Sequence, residues 1–123
     1  MIPVRSLVPF VHVRDVAASI EFYGKLGFAV DNTFTPDGAG APVWAWLQCD
    51  DAPLMIAQAT APVVAEEQAV MFYLYVDDVD AKHAELREAG VGPWDITYAF
   101  YAPKGEFRVV DPDGYLLMIT HTR

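Results

Sequence analysis

The sequence predicts an α+β domain of two βαβββ modules, in which curved, mostly antiparallel sheets form a cleft and the helices lie outside. The first observation is an internal repeat, because residues 8–28 align with residues 71–91 and Asp15 falls on Asp78. The second is that each half passes from the period of a strand to that of a helix and back. We expect one domain over residues 1–123, with module one at about 1–60, a linker at about 60–68 and module two at about 69–123.

The first module opens with an alternating stretch, "VPFVHV", that is typical of a half-buried strand. Asp15 follows at a position where a carboxylate can cap the free amides of a helix, and Gly27 can end that helix. The buried stripe of the helix is predicted to contain Val16, Ile20, Tyr23 and Leu26. Three further strands are expected at residues 28–34, 42–48 and 53–59.

The second module repeats this order. The stretch "MFYLYV" predicts a strand, Asp78 a helix start and Gly90 the helix end. The buried stripe of this helix is expected to contain Val79, His83, Leu86 and Ala89. Three more strands are predicted at residues 91–102, 105–111 and 115–121. Between the last two, "DPDG" predicts a tight turn, in which Pro112 fixes φ and Gly114 supplies a permissive backbone.

Composition narrows the class of protein. The 123 residues are 54% apolar and 13% aromatic, which favours a folded core. A net charge of −9, from 17 acidic and 8 basic residues, disfavours nucleic acid and anionic membranes as partners and favours cations. The N-terminal stretch lacks a secretory pattern and no segment is apolar enough to span a membrane. A single cysteine, Cys49, is expected to be structural and fits the cytoplasm.

Three segments in order resemble the vicinal oxygen chelate superfamily, which contains glyoxalase I, the extradiol dioxygenases and the bleomycin resistance proteins. They are "VRDVAASIEFYGKLGF", "VDDVDAKHAELREAGV" and "FRVVDPDGYLLMI". The resemblance implies the paired-module fold for nearly the whole chain. It leaves the activity open, because this fold carries isomerases, dioxygenases, thiol transferases and binding proteins.

The resemblance also implies where a metal enzyme of the family holds its divalent ion, through His, Gln or Glu side chains on four strands. The corresponding positions here are Val8, Met71, Met118 and either Met55 or Ala57. Valine and alanine cannot ligate, and a thioether is a poor ligand for these ions. We therefore expect no metal and no other cofactor.

The histidines do not form an alternative site by their spacing. His12 shares a strand face with Val8, His83 lies on the second helix and His121 is near the chain end. No pair has the spacing of a metal-binding motif, and no Ser–His–Asp set or phosphate loop is visible.

The inward face of the predicted sheets is rich in aromatic residues and methionine, which suit a flat or amphipathic ligand. The same side chains would equally fill a core between the modules or a dimer contact. As candidate ligand-binding residues the sequence indicates Phe10, His12, Trp44, Trp46, Met55, Met71, Tyr73, Tyr75, Tyr98, Phe100, Tyr101, Glu106 and Met118. No catalytic residue is assigned.

The absent ligands, the acidic charge and the aromatic face resemble the bleomycin resistance proteins in particular. "WAWLQ" (Trp44–Gln48) is similar to a strand of that group whose tryptophan lines the drug groove. The resemblance implies a metal-free homodimer that sequesters an aromatic or cationic small molecule, as in antibiotic resistance. The alternative is a lyase, isomerase or dioxygenase of the superfamily that uses a relocated metal, or an acid–base pair such as His12 with Glu106.

Overall fold

A computed structural model describes residues 1–122, which fall into two compact units that divide after Val63. The α+β class is confirmed: each unit contains one long helix and one mixed sheet. Within residues 1–122, neither helix is long and apolar enough to cross a membrane.

The first unit is a four-stranded sheet with a helix on one face. Its elements are β1 (Phe10–Val13), α1 (Val16–Lys25), β2 (Ala29–Phe34), β3 (Trp44–Cys49) and β4 (Ala52–Gln58). The strand order is β1-β4-β3-β2, and β1 runs parallel to β4 whereas the other neighbours are antiparallel. Strict alternation along β1 places Val11 and Val13 in the core.

Helix α1 begins where its sequence predicts. The Asp15 side chain accepts a hydrogen bond from the Ala18 amide (3.1 Å), which satisfies one free donor of the first turn. Val16, Tyr23 and Leu26 are buried as expected. Ser19, rather than Ile20, completes the stripe, because Ser19 is 1% exposed and Ile20 lies at its half-buried edge.

The second unit has the same order of elements with one strand fewer. After a short 3-10 helix (Ala65–Glu67) come β5 (Met71–Val76), α2 (Val79–Glu88), β6 (Glu106–Val110) and β7 (Leu116–His121). The strand order is β5-β7-β6, with β5 parallel to β7 and β6 antiparallel to it. Asp78 caps α2 by accepting from the Ala81 amide (3.0 Å), and Val79, His83 and Leu86 are buried.

The strand expected at residues 91–102 does not form, and this prediction is wrong. Thr97 makes an isolated antiparallel bridge to Glu106, and the Trp94 amide donates to the Arg108 carbonyl (2.9 Å). From Trp94 to Thr97 the chain advances three residues, whereas their partners on β6, Arg108 and Glu106, are only two residues apart. The extra residue forms a bulge that interrupts the ladder. Gly92 at φ +74° and the adjacent Pro93 explain why regular pairing cannot start earlier. We call residues 91–105 the β6 flanking loop.

The "DPDG" segment forms the expected turn. The buried Asp111 carboxylate accepts from the amides of Asp113 (2.9 Å) and Tyr115 (2.8 Å), and its carbonyl accepts from Gly114 (3.1 Å). The Asp111 carboxylate thus stabilises the backbone of its own turn. Gly114 has φ +87°, and a Cβ there would lie 2.5 Å from the Cβ of Ala65.

Replacing Gly114 with alanine should destabilise the fold more than the same change at Gly92. Both glycines have positive φ, so both variants carry the backbone cost of about 1–2 kcal/mol. Gly92 faces open space, whereas Gly114→Ala also forces Ala65 away, which adds at least about 1 kcal/mol. Urea unfolding of both variants measures the difference, and equal losses would contradict the packing described at Ala65.

Candidate functional site

The candidate residues of the first unit share the sheet face opposite α1. Strand register places Phe10, Met55 and Trp46 in one row across the sheet, and His12, Ala57 and Trp44 in the next. Phe10 is 45% exposed and the two tryptophans are half-buried. The sequence-based assignment of these side chains to one face is therefore confirmed; their role as ligand contacts stays a prediction.

The indole of Trp46 is held in one orientation by its neighbours. Its Nε1 donates to Oε1 of Gln48 (2.8 Å), and Nε2 of Gln48 donates to the carbonyl of Asp50 (2.8 Å). Asp50 adopts φ +49°, which turns the chain between β3 and β4. Because the Trp46 side chain is held in one rotamer, less conformational entropy is lost when an aromatic ring stacks on it.

In the second unit, a further set of candidates lies on the sheet face opposite α2. We call the sheet face that is not covered by a helix the bare face. Met71, Tyr73 and Tyr75 alternate with half-buried residues along β5, and the Tyr73 and Tyr75 rings stack with centroids 6.2 Å apart. Register aligns Tyr73 with Met118, and Met118 with Arg108 of β6. Met118 is only 5% exposed, so it forms the floor of this face rather than an outer contact.

The β6 flanking loop and β6 line a half-open cavity of about 470 Å³ on this face. Four sequence-predicted residues line it: Tyr98, Tyr101, Glu106 and Met118. Phe100 is in the same loop but does not line the cavity and is 96% exposed. A cavity of this volume is within the range that binds small organic molecules.

Glu106 is the buried acid of the cavity. It is 4% exposed at the start of β6, and its Oε1 accepts a hydrogen bond from the Tyr101 hydroxyl (3.0 Å). Its buried Oε2 has no hydrogen-bond partner among the described residues. A buried acceptor without a partner is costly, so this oxygen has free capacity for a donor.

Tyr101 forms the outer half of this pair. The hydrogen bond it donates to Glu106 raises the pKa of its phenol above the ordinary 10.0, and the negative charge of Glu106 adds to the effect. Tyr101 is 60% exposed and its ring meets Phe100 edge to face at 5.2 Å. The phenol therefore stays neutral at neutral pH and can donate hydrogen bonds.

Six of the ten cavity residues were not assigned from the sequence, among them Trp94 and Arg108. The Arg108 guanidinium lies 5.5 Å from the centroid of the Trp94 ring, and both line the cavity. Arg108 is two residues after Glu106 on a strand, so alternation was a sufficient signal for its position. Trp94 lay in the segment wrongly expected to be a strand.

A buried histidine attaches the β6 flanking loop to α2. His83 Nε2 lies 2.9 Å from the Trp94 carbonyl, so this nitrogen must carry the proton and donate. The other ring nitrogen, Nδ1, is 3.3 Å from the Arg87 guanidinium and accepts from it. The ring also packs edge to face on Phe107 at 4.8 Å. His83 is thus a structural residue that positions one wall of the cavity.

The side chains at the family metal positions do not fit a divalent metal. Val8 and Ala57 have no donor atom, and Met55, Met71 and Met118 offer thioethers only. Within residues 1–122, no three His, Cys, Asp or Glu side chains are grouped as a metal site.

A family model described as Glyoxalase/Bleomycin resistance protein/Dioxygenase superfamily matches residues 7–119. The chain belongs to this superfamily. The resemblance seen in its three sequence segments is thereby confirmed. A comparison with curated proteins finds no match.

Solved structures of the superfamily share the fold over their whole length. A bleomycin-binding protein from bleomycin-producing Streptomyces verticillus, complexed with copper(II)-bleomycin, is 26% identical with a TM-score of 0.74, and all of both chains is covered. A bleomycin resistance determinant encoded on the transposon Tn5 is 20% identical (TM-score 0.77, 98% of this chain and 99% of that chain). TnmS3, an antibiotic binding protein from Streptomyces sp. CB03234, is 20% identical (TM-score 0.75, 100% and 99%).

The Tyr101 phenol is expected to titrate above pH 10, and Glu106→Gln should lower its midpoint. Because the pKa is raised in the folded state, the stabilisation from this hydrogen bond is present below about pH 10 and is lost as the pH rises through the folded pKa. The difference between ultraviolet titrations of wild type and Tyr101→Phe isolates this one phenol. An unchanged midpoint in Glu106→Gln would show that the carboxylate does not perturb it.

Proposed function

We propose that this protein binds and sequesters an aromatic or cationic small molecule without transforming it, as in antibiotic resistance. The observation that carries the proposal is the cavity of the second unit, in which aromatic side chains surround a buried carboxylate with a free acceptor oxygen. Aromatic walls stack flat ligands and a buried acid selects donors, so the two together describe a binding site.

The solved structural neighbours support this proposal. Two of the solved neighbours are described as binding bleomycin or an antibiotic, and a third as a bleomycin resistance determinant. The apolar side chains at Val8, Met71 and Met118 favour binding over the metal-dependent reactions of the superfamily. The net charge of −9 would attract a cationic ligand over a distance before contact.

The candidate residues take distinct roles in the proposed binding. Glu106 would pair with the positive or donor group of the ligand, and Tyr98 and Tyr101 would contact its ring. Two further sets of candidates lie outside this cavity: Phe10, His12, Trp44, Trp46 and Met55 on the sheet of the first unit, and Met71, Tyr73 and Tyr75 on that of the second. Each set would offer apolar contact area to a ligand on its own unit, whereas Phe100 is in the β6 flanking loop and does not line the cavity.

We also propose a single domain over residues 1–123 that acts as a homodimer in the cytoplasm. Phe34, Tyr75 and Phe100 are 57%, 63% and 96% exposed, and large apolar side chains at such exposure favour a protein partner. A lone, half-buried Cys49 is compatible with a reducing compartment.

Bleomycin should quench the intrinsic tryptophan fluorescence in a saturable way. Tyr98→Leu removes an aromatic side chain that lines the cavity and should weaken binding about threefold to tenfold, the range of one aromatic contact. Phe22→Leu, at a half-buried aromatic residue of α1 that does not line the cavity, is the matched control and should leave the affinity unchanged.

The bound ligand should be recovered chemically unchanged, as mass spectrometry of the released molecule would show. Metal analysis of the dialysed protein should find no stoichiometric divalent ion. Stoichiometric Ni, Mn, Fe or Zn, or a modified ligand, would overturn sequestration and favour the enzyme alternative. Absence of quenching by bleomycin, quinone antibiotics and aromatic amines would count against binding altogether.

A further inference from the structure

We infer that the cavity of the second unit accepts a zwitterion: a small aromatic molecule that carries a protonated amine and a carboxylate a few bonds apart. The inference rests on the proposed binding function and specifies the ligand class of one site. It follows from two charged side chains of opposite sign, Glu106 and Arg108, that line the same cavity without forming an ion pair with each other.

Glu106 determines where the amine of the ligand would bind. Its Oε1 has one donor, the Tyr101 hydroxyl, and its buried Oε2 has none among the described residues. A protonated amine has three hydrogens and a positive charge, so it satisfies the free oxygen and neutralises the carboxylate together. Tyr101 is 60% exposed, so its ring can turn with little loss of packing, which would free Oε1 for the amine as well.

Arg108 determines where the carboxylate of the ligand would bind. Register pairs Arg108 with Met118 and Glu106 with Thr120, which places both charged side chains on the bare face of the sheet. The guanidinium lies over the Trp94 ring, and no carboxylate among residues 1–122 forms an ion pair with it. Its planar fork of donors is thus available to a carboxylate.

A ligand with one charge would meet a repulsive partner in this cavity. A simple cation would approach Arg108, and a simple anion would approach Glu106 and Asp95, which also lines the cavity. A zwitterion pairs with both. Residues two apart on a strand are separated by roughly 6.5 Å, a span that an amine and a carboxylate joined by a few bonds can bridge with the flexible arginine. Trp94, Tyr98 and Tyr101 supply contacts for the ring of the ligand.

Three probes with one ring and different charges test this class: L-phenylalanine, phenethylamine and 3-phenylpropanoate. Calorimetric titration of the full chain should rank L-phenylalanine at least about tenfold tighter than either analogue, since each analogue lacks one charge-assisted contact. Glu106→Gln should weaken L-phenylalanine and phenethylamine about tenfold or more and leave 3-phenylpropanoate no weaker. Arg108→Gln should abolish the advantage of L-phenylalanine over phenethylamine.

Glu88→Gln and Lys104→Gln are the matched controls, because they make the same charge changes at exposed positions that do not line the cavity. Both should leave the ranking unchanged. Equal or reversed ranking by the wild-type protein, or no binding of any probe, overturns the zwitterion inference even where a variant fails to fold. If the probes fail this test but bleomycin still quenches fluorescence, the zwitterion inference is wrong and the proposed function stands. If neither the probes nor bleomycin bind, both proposals are wrong.

Discussion

The parallel pairing of the first and last strands in each unit determines which face of each sheet is left uncovered by a helix. β1 pairs with β4 and β5 with β7, although long stretches of chain separate them. Parallel neighbours need a long crossover connection, and here each crossover contains a helix. Helix α1 covers one face of its sheet with Val16, Tyr23 and Leu26. One helix cannot cover two faces, so the other face carries the aromatic and charged side chains.

The positions fixed by periodicity were predictable from sequence. Asp15 and Asp78 marked both helix starts because a capping carboxylate has a defined relation to the first turn. Alternation placed Phe10 and His12, as well as Met71, Tyr73 and Tyr75, on common faces because a strand has a period of two. These rules are local, and each needs only a few neighbouring residues.

The β6 flanking loop was not predictable by the same rules. Residues 94–100 alternate like a strand, but pairing depends on the partner edge, and the bulge between Trp94 and Thr97 breaks the ladder with β6. A Cβ on Gly105 would lie 2.7 Å from Ile96, so this turn is shaped by tertiary packing that periodicity does not encode. For the same reason the cavity, and the place of Trp94 in it, could not be derived, whereas the alternation of β6 was enough to place Arg108 on the same face as Glu106. The free oxygen of Glu106 likewise depends on how many donors the fold brings close, and such a group typically costs about 1–3 kcal/mol of stability.

Every residue that lines the cavity lies between Trp94 and Met118, within one short stretch of sequence. Backbone hydrogen bonds from Trp94 to Arg108 and from Thr97 to Glu106 anchor the loop on β6, while the residues between Thr97 and Gly105 connect those anchors. Insertion or replacement of a few codons there would alter the walls of the cavity and leave the paired strands intact. A change in the shape of the cavity therefore requires changes in one short segment only, so this segment can vary among relatives much faster than the paired strands that support it.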